Sequence, residues 1–154
     1  MKKDAPAASR ILLADKNARG LATRKVILGG QGYSVETALN GETAWELFEN
    51  NAQTAHPFDV VVTDISIKGT NDGLELIRHI RAMDSPARIV ILSCSHDLVN
   101  LNERTSGADE VIAKGPHEVP ELIRVLKKMT AHPRRRPPAS AKGPKPTKTR
   151  SQAV

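Results

Sequence analysis

Five short apolar runs alternate along the chain with segments of helical periodicity, and this alternation limits the fold more than any other feature. The runs have the length of strands and cover residues 11–14, 33–38, 58–63, 88–93 and 110–114. Parallel strands need connections long enough to hold a helix, so alternation at this spacing predicts a parallel sheet with helices on both faces. We therefore expect an α/β fold with a five-stranded, doubly wound parallel sheet.

The segments that separate and follow the runs predict five helices. In the first, which starts near Ala18, Leu21, Lys25 and Leu28 follow helical spacing, and the glycines of residues 29–32 end it. The other four are predicted after Asn40-Gly41, from an N-cap at Asp72, over residues 97–106, and along Pro120 to Met129.

The third run, Phe58 to Thr63, contains β-branched residues without polar alternation and ends at Asp64. A strand covered by helices on both faces has this pattern, so we place it at the centre of the sheet. In doubly wound sheets, functional groups gather at the carboxyl ends of the strands, where the strand order reverses. Asp64 stands at such an end.

The chain of 154 residues is 39% hydrophobic and 26% charged, which suits one soluble globular domain and a tail. Its single cysteine, Cys94, cannot form an intramolecular disulfide, and after a buried strand we expect a packed thiol. The run at residues 11–14 is stopped by Asp15 and Lys16, so neither a signal peptide nor a membrane span is predicted. These features favour the cytoplasm.

Basic charge is concentrated in the last 24 residues. Residues 131–154 carry seven Lys and Arg and no acid, so the net charge of +6 leaves −1 for residues 1–130. The division predicted is a flexible N-terminus at 1–9, a domain at 10–130 and a disordered tail at 131–154. The tail either only solvates the chain or binds nucleic acid, an acidic membrane or an acidic partner. With no second folded region predicted, we expect a stand-alone domain.

Polar side chains follow four of the predicted strands. They are Asp15 after the first strand, Asp64 after the third, Ser93 with Cys94 after the fourth, and Lys114 after the fifth. Carboxylates bind Mg²⁺, and a hydroxyl and an ammonium contact phosphoryl oxygens, so this set predicts phosphoryl transfer to a carboxylate. Each residue alone could merely end its strand, but their coincidence at one edge favours a functional site.

At this point the chain resembles the bacterial response regulator receiver domain over roughly residues 10–129. The motifs are Ile11-Leu12-Leu13-Ala14-Asp15-Lys16-Asn17, Val60-Val61-Val62-Thr63-Asp64, Asp72-Gly73-Leu74-Glu75-Leu76-Ile77, Ile89-Val90-Ile91-Leu92-Ser93 and Gly107-Ala108-Asp109-Glu110-Val111-Ile112-Ala113-Lys114. The resemblance implies a flavodoxin-like fold, dependence on Mg²⁺, and receipt of phosphate from a histidine kinase or phosphotransfer protein. A stand-alone receiver would act by switching its binding to a downstream protein, which the sequence does not identify, and not as a conventional enzyme.

The resemblance also assigns roles to individual residues. Asp64 matches the phosphoacceptor, Asp15 the first of the paired acids, Ser93 the switch hydroxyl and Lys114 the conserved lysine. Ser66 falls where the family contributes a backbone carbonyl to the metal. On this basis Asp15, Asp64 and Ser66 are the predicted metal ligands.

Three departures from the family pattern bear on the function. Lys16 replaces the second acid, which weakens Mg²⁺ binding unless its flexible stem takes the ammonium out to solvent. Val111 replaces an aromatic switch residue, and the segment 65–73 is one residue longer than usual. Two hypotheses follow: a phosphorylatable receiver, or a pseudo-receiver that acts as an interaction module without phosphorylation. The oligomeric state is not predicted.

Overall fold

The computed structural model of the protein describes residues 7–65, 72–94 and 107–131. The elements in these ranges are β1 (Arg10–Ala14), α1 (Ala18–Gly30), β2 (Ser34–Ala38), α2 (Gly41–Ala52), β3 (Val60–Asp64), α3 (Asp72–Ala82), β4 (Arg88–Ser93), β5 (Glu110–Ala113) and α4 (Glu118–Ala131). The helix predicted over residues 97–106 and the tail from residue 132 lie outside the described residues. Within the described ranges, no helix is long and apolar enough to span a bilayer.

The five strands form one parallel sheet with the order β2-β1-β3-β4-β5. From β1 the chain first moves outward to β2 and then crosses back to β3 on the opposite side of β1. The strand order therefore reverses between β1 and β3, which confirms the doubly wound, flavodoxin-like arrangement. The carboxyl ends of these two central strands border the crevice in which such folds bind their ligands.

Both faces of the sheet are buried by helices. Alternate residues of β1 contribute to different cores: Ile11 and Leu13 pack on the side of α1 and α4, and Leu12 and Ala14 on the side of α2 and α3. This is why the central strands are continuously apolar in sequence. The resulting core is largely aliphatic and holds the strand ends in fixed positions.

Short polar caps determine where the first two helices begin. Asn17 caps α1 by accepting a hydrogen bond from the Gly20 amide at 3.1 Å, and Asn40 caps α2 through the Thr43 amide at 2.7 Å. Gly32, with φ of 94°, follows the end of α1 in the backbone conformation that glycine tolerates best. Two residues, Asp15 and Lys16, therefore lie between the end of β1 and the cap of α1 at Asn17.

Two expectations about side-chain orientation are wrong. Lys25 does not belong to the inner side of α1, because it is exposed while Arg24 has only 11% of its side chain exposed. Apolar residues are spread around α1, and Val26 is 76% exposed, so spacing alone did not define the buried side. Cys94 is also exposed, because it lies one residue beyond the last buried position of β4.

Candidate functional site

Three of the residues predicted from sequence meet at the carboxyl edge of the sheet. Asp15 directly follows β1, Asp64 is the last residue of β3, and Lys114 directly follows β5. The Lys114 Nζ lies 2.8 Å from Asp15 Oδ2 and 2.7 Å from Asp64 Oδ2, so one ammonium donates to both carboxylates. Asp15 and Asp64 are only 3% and 7% exposed. The site is a buried carboxylate pair bridged by a lysine.

The lysine reaches the carboxylates from a strand that is not adjacent to theirs. β4 lies between β3 and β5 in the sheet, so the side chain of Lys114 has to extend across the end of β4. Its backbone amide donates to the Ser93 carbonyl at 2.7 Å, and this hydrogen bond holds the backbone of Lys114 beside the end of β4. The long, flexible stem of lysine allows this reach.

Asp15 accepts hydrogen bonds from three groups. Its Oδ2 accepts from Lys114 and, at 3.3 Å, from Arg24, and its Oδ1 accepts from the Asn17 amide at 3.1 Å. Burial alone would raise the pKa of Asp15. The hydrogen bonds from Lys114 and Asn17, with the charges of Lys114 and Arg24, outweigh burial and hold that pKa below its ordinary value.

The pKa of Lys114 changes in the opposite sense. Burial favours the neutral amine and would lower the pKa, but the hydrogen bonds and charges of Asp15 and Asp64 raise it above the ordinary value. The ammonium is therefore the stable form of Lys114 throughout the physiological pH range. It supplies a fixed positive charge beside both carboxylates.

Ser93, the predicted switch hydroxyl, is fully buried as the last residue of β4. Its Oγ donates to the Cys94 carbonyl at 3.4 Å. Because Asp64 pairs with Leu92 across the sheet, Ser93 lies one position beyond this pair, at the same edge as the carboxylates. The structure thus places Ser93 at this edge of the sheet, with its hydroxyl bonded to the neighbouring backbone.

Gly73 allows α3 to approach the end of β3 very closely. Its amide donates to the Ile65 carbonyl at 3.0 Å, and a Cβ atom at this position would lie 1.8 Å from the Asp64 carbonyl oxygen. No side chain fits at that distance. Glycine at position 73 is therefore required for the helix to pack against the backbone at the end of β3.

Sequence analysis missed two buried charged residues that extend the site. Arg24 of α1 donates from Nε to Glu118 Oε1 at 2.7 Å, and its Nη2 also contacts Glu118, the first residue of α4. Arg24 and Glu118 have 11% and 10% of their side chains exposed. The signal was weak, because a polar residue on a helix without a clear apolar stripe is normally read as exposed.

The carboxylate pair suits a hard divalent cation. Two buried Asp oxygens already lie within 2.8 Å of one positive centre, and Mg²⁺ in proteins commonly uses one or two carboxylates and keeps several waters. Lys16 is exposed, in agreement with the alternative in which its ammonium turns to solvent. The predicted third ligand, Ser66, lies outside the described residues, and in the described ranges no three His, Cys, Asp or Glu residues form a metal cluster.

A five-stranded doubly wound sheet with paired carboxylates and a lysine at its switch point defines a class of small α/β domains. The sequence model of the response regulator receiver domain matches residues 11–127. The chain therefore belongs to the response regulator receiver family, whose domains are signalling modules of two-component systems.

Curated relatives share this region and are mostly much longer. The chain is 30% identical over 131 residues to the gliding motility regulatory protein of Myxococcus xanthus, a match that covers 82% of this chain and 16% of that protein. It is 32% identical over 118 residues to the response regulator MprA of a Mycobacterium species, and this match covers 74% of this chain and 47% of MprA. The chain thus spans less than half the length of each of these relatives.

Solved structures of receiver proteins superpose over the same region. One is the response regulator TrrA of Thermotoga maritima in complex with Mg²⁺-BeF, at 32% identity, a TM-score of 0.65, and coverage of 79% of this chain and 98% of that one. TrrA in complex with the histidine kinase ThkA aligns at 30% identity and a TM-score of 0.64, and the alignment covers 79% of this chain and 97% of that one. A receiver domain from Clostridium thermocellum gives 25% identity, a TM-score of 0.70, and coverage of 80% and 95%.

Proposed function

We propose that this chain is a phosphorylation switch in which Asp64 accepts a phosphoryl group from a histidine kinase or phosphotransfer protein. The observation that carries the proposal is the ammonium of Lys114, which lies 2.7 Å from Asp64 Oδ2 and 2.8 Å from Asp15 Oδ2 in a receiver fold. The similarity to TrrA, which has been solved with a histidine kinase, supports the kind of donor.

In the proposed reaction an oxygen of the Asp64 carboxylate attacks phosphorus. A new O–P bond forms while the bond from phosphorus to the donor breaks, and the donor leaves with that electron pair. Lys114 then stabilises the phosphoryl oxygens that carry the negative charge, and the Ser93 hydroxyl donates to one of them. Hydrolysis of the acyl phosphate returns the free carboxylate and inorganic phosphate.

Mg²⁺ would be held by the carboxylates of Asp15 and Asp64, with the Ser66 carbonyl as a third protein ligand. When bound, it neutralises charge on the phosphoryl oxygens. The solved complex of TrrA with Mg²⁺-BeF supports this choice of ion. Lys16 replaces a carboxylate near the metal, so we expect a weaker affinity for Mg²⁺ than two neighbouring acids would give.

The output of the switch would be a change in affinity for a downstream protein, since a switch acts only through differential binding to its two states. In this proposal residues 10–130 form the receiver and residues 131–154 a basic tail. Whether the tail binds an acidic partner or nucleic acid stays a prediction. Such binding would decrease steeply with salt and disappear when residues 131–154 are removed.

Intact-mass spectrometry with a small acyl phosphate donor tests the proposal. With Mg²⁺ present, wild type should gain the mass of one phosphoryl group and Asp64→Asn should gain none. Asp59→Asn is the matched control, because Asp59 directly precedes β3, at the opposite end of the strand from Asp64. This variant should still gain the phosphoryl group. An equal adduct on Asp64→Asn, or none on wild type with this donor and with histidine kinases, contradicts the proposal.

The pseudo-receiver hypothesis has one observation in its favour. Lys16 brings a second ammonium into the turn beside Asp15, where the family has an acid, and Lys114 already pairs with both carboxylates. In that case the site would be a structural ion-pair network. The same experiment separates the two functions, because a pseudo-receiver gains no phosphoryl adduct from any donor.

A further inference from the structure

The ion pairs at the strand edge continue beyond the proposed phosphorylation site. Five side chains of alternating charge are in sequential contact, in the order Glu118, Arg24, Asp15, Lys114 and Asp64. The last two contacts in this order, both made by Lys114, belong to the site already described. The first two, both made by Arg24, connect that site to the first residue of α4.

Arg24 divides its donors between two carboxylates. Nε and Nη2 contact Glu118, and Nη1 contacts Asp15 Oδ2 at 3.3 Å. The guanidinium is planar with several donors in a fixed geometry, so it can hold two acids at once. All three side chains are at most 11% exposed, and such contacts are screened by water far less than surface ion pairs.

We propose that Arg24 is a positioning residue that sets the affinity of the Asp15 and Asp64 pair for divalent cations and links that affinity to Glu118 of α4. The inference rests on the proposed function, because it concerns the same metal site. Arg24 does not ligate the cation. It competes with the cation for Asp15, and Glu118 determines how strongly it competes.

The competition follows from the local charges. A divalent cation on Asp15 repels the Arg24 guanidinium, which contacts the same oxygen, Oδ2. Glu118 lowers this cost because it offers the guanidinium a second carboxylate to which it can shift. Coupling of this kind is reciprocal, so cation binding strengthens the contact between Arg24 and Glu118 and thereby the packing of α1 against α4.

Two substitutions should therefore change Mg²⁺ affinity in opposite directions, although both break the same buried ion pair. Arg24→Gln removes one of the two cationic groups on Asp15 Oδ2 and keeps Lys114, so the dissociation constant of this variant for Mg²⁺ should fall about tenfold, which corresponds to about 1.4 kcal/mol. Glu118→Gln leaves Asp15 as the charged partner of Arg24, and the constant should rise about threefold to tenfold. Isothermal titration of the full chain with MgCl₂ measures both constants.

Glu121 and Arg124 provide matched controls. They form an ion pair on the same helix, but 43% and 59% of their side chains are exposed. Glu121→Gln and Arg124→Gln make the same changes in net charge, and each should alter the constant less than twofold because solvent screens their fields. The inference is wrong if Arg24→Gln binds Mg²⁺ no more tightly than wild type, or if the buried and exposed pairs behave alike.

Folding and phosphorylation are measured separately from affinity. If Arg24→Gln does not fold, Glu118→Gln is compared with Glu121→Gln. Weaker Mg²⁺ binding in Glu118→Gln alone supports the inference, and equal Mg²⁺ binding in the two variants overturns it. Failure of Asp64 to accept phosphate, with the opposite shifts still present, would reject the proposed function and keep the coupling. A phosphoryl adduct without those shifts would reject only the coupling.

Discussion

At the scale of single residues, Lys114 compensates two buried carboxylates, Asp15 and Asp64. The pKa of Asp15 is lowered in the folded protein, so its contribution to stability is present above its unfolded pKa and is lost as the pH falls through the folded value. The pKa of Lys114 is raised, so its contribution is lost as the pH rises through the folded value. The network is therefore most stabilising between these two limits.

Replacing Lys114 by Met should reverse the way in which the free energy of unfolding depends on pH below neutrality. Without the ammonium, burial becomes the dominant influence on Asp15 and raises its pKa, so the folded protein binds protons more readily than the unfolded chain. Between pH 7 and pH 5, Lys114→Met should gain about 1 kcal/mol of unfolding free energy, whereas wild type should gain none.

Urea denaturation at the two pH values measures this difference. Lys127→Met, at an exposed lysine of α4, is the control, and its dependence on pH should match that of wild type. A Lys114→Met protein with the pH dependence of wild type would show that the lysine is not the main counter-charge of Asp15.

The positions of Asp15, Asp64 and Lys114 could be predicted from sequence because parallel strands end at one shared edge. The two carboxylates lie at the carboxyl ends of adjacent strands, and the lysine stem is long enough to cross β4. Arg24 and Glu118 could not be predicted in the same way. Their contact depends on the rotation of α1 and on how α4 packs beside it, and neither is encoded in the spacing of polar residues.

At the scale of elements, the contact between α3 and β3 places the helix directly against the end of β3, the strand that carries Asp64. Gly73 makes this contact possible, since any side chain there would collide with the Asp64 carbonyl. The Asp72 carboxylate also accepts a hydrogen bond from the Gly41 amide at 3.2 Å, which connects the starts of α2 and α3. The two helix starts therefore support the end of β3.

Gly73→Ala should lower the free energy of unfolding by about 2 kcal/mol or more, because relieving the clash requires the helix to move. It should also lower the rate of phosphoryl transfer to Asp64. Gly29→Ala is the matched control, since a Cβ atom there meets nothing within 4 Å. Alanine is the better helix former, so this change should stabilise α1 by up to about 1 kcal/mol. Equal effects of the two substitutions, by thermal denaturation, would contradict the account.

Strand and helix order could be predicted well because strand-length runs, caps and glycine stops are local signals. The side of α1 that faces the core could not, since its apolar residues do not form one stripe. The start of a helix is harder to predict than its existence: the sequence predicts a helix after Asn40-Gly41, whereas α2 begins at Gly41 itself.

At the scale of the whole molecule, the two-sided core gives a rigid base for a site made of residues distant in sequence. Asp15 and Lys114 are separated by 99 positions, and Asp64 and Lys114 by 50, yet all three meet at one edge of the sheet. Strand order β2-β1-β3-β4-β5 causes this convergence, because it places the first and third strands side by side at the centre. We propose that Asp64, at this position, accepts the phosphoryl group.

Mapping of the acyl phosphate tests that claim most directly. After incubation with a small acyl phosphate and Mg²⁺, reduction with borohydride converts a phosphorylated aspartate into homoserine, which peptide sequencing by mass spectrometry assigns to a position. The account predicts homoserine at position 64 in wild type and at no position in Asp64→Asn. Homoserine at position 15 or at another acid, or at no position in wild type, would contradict it.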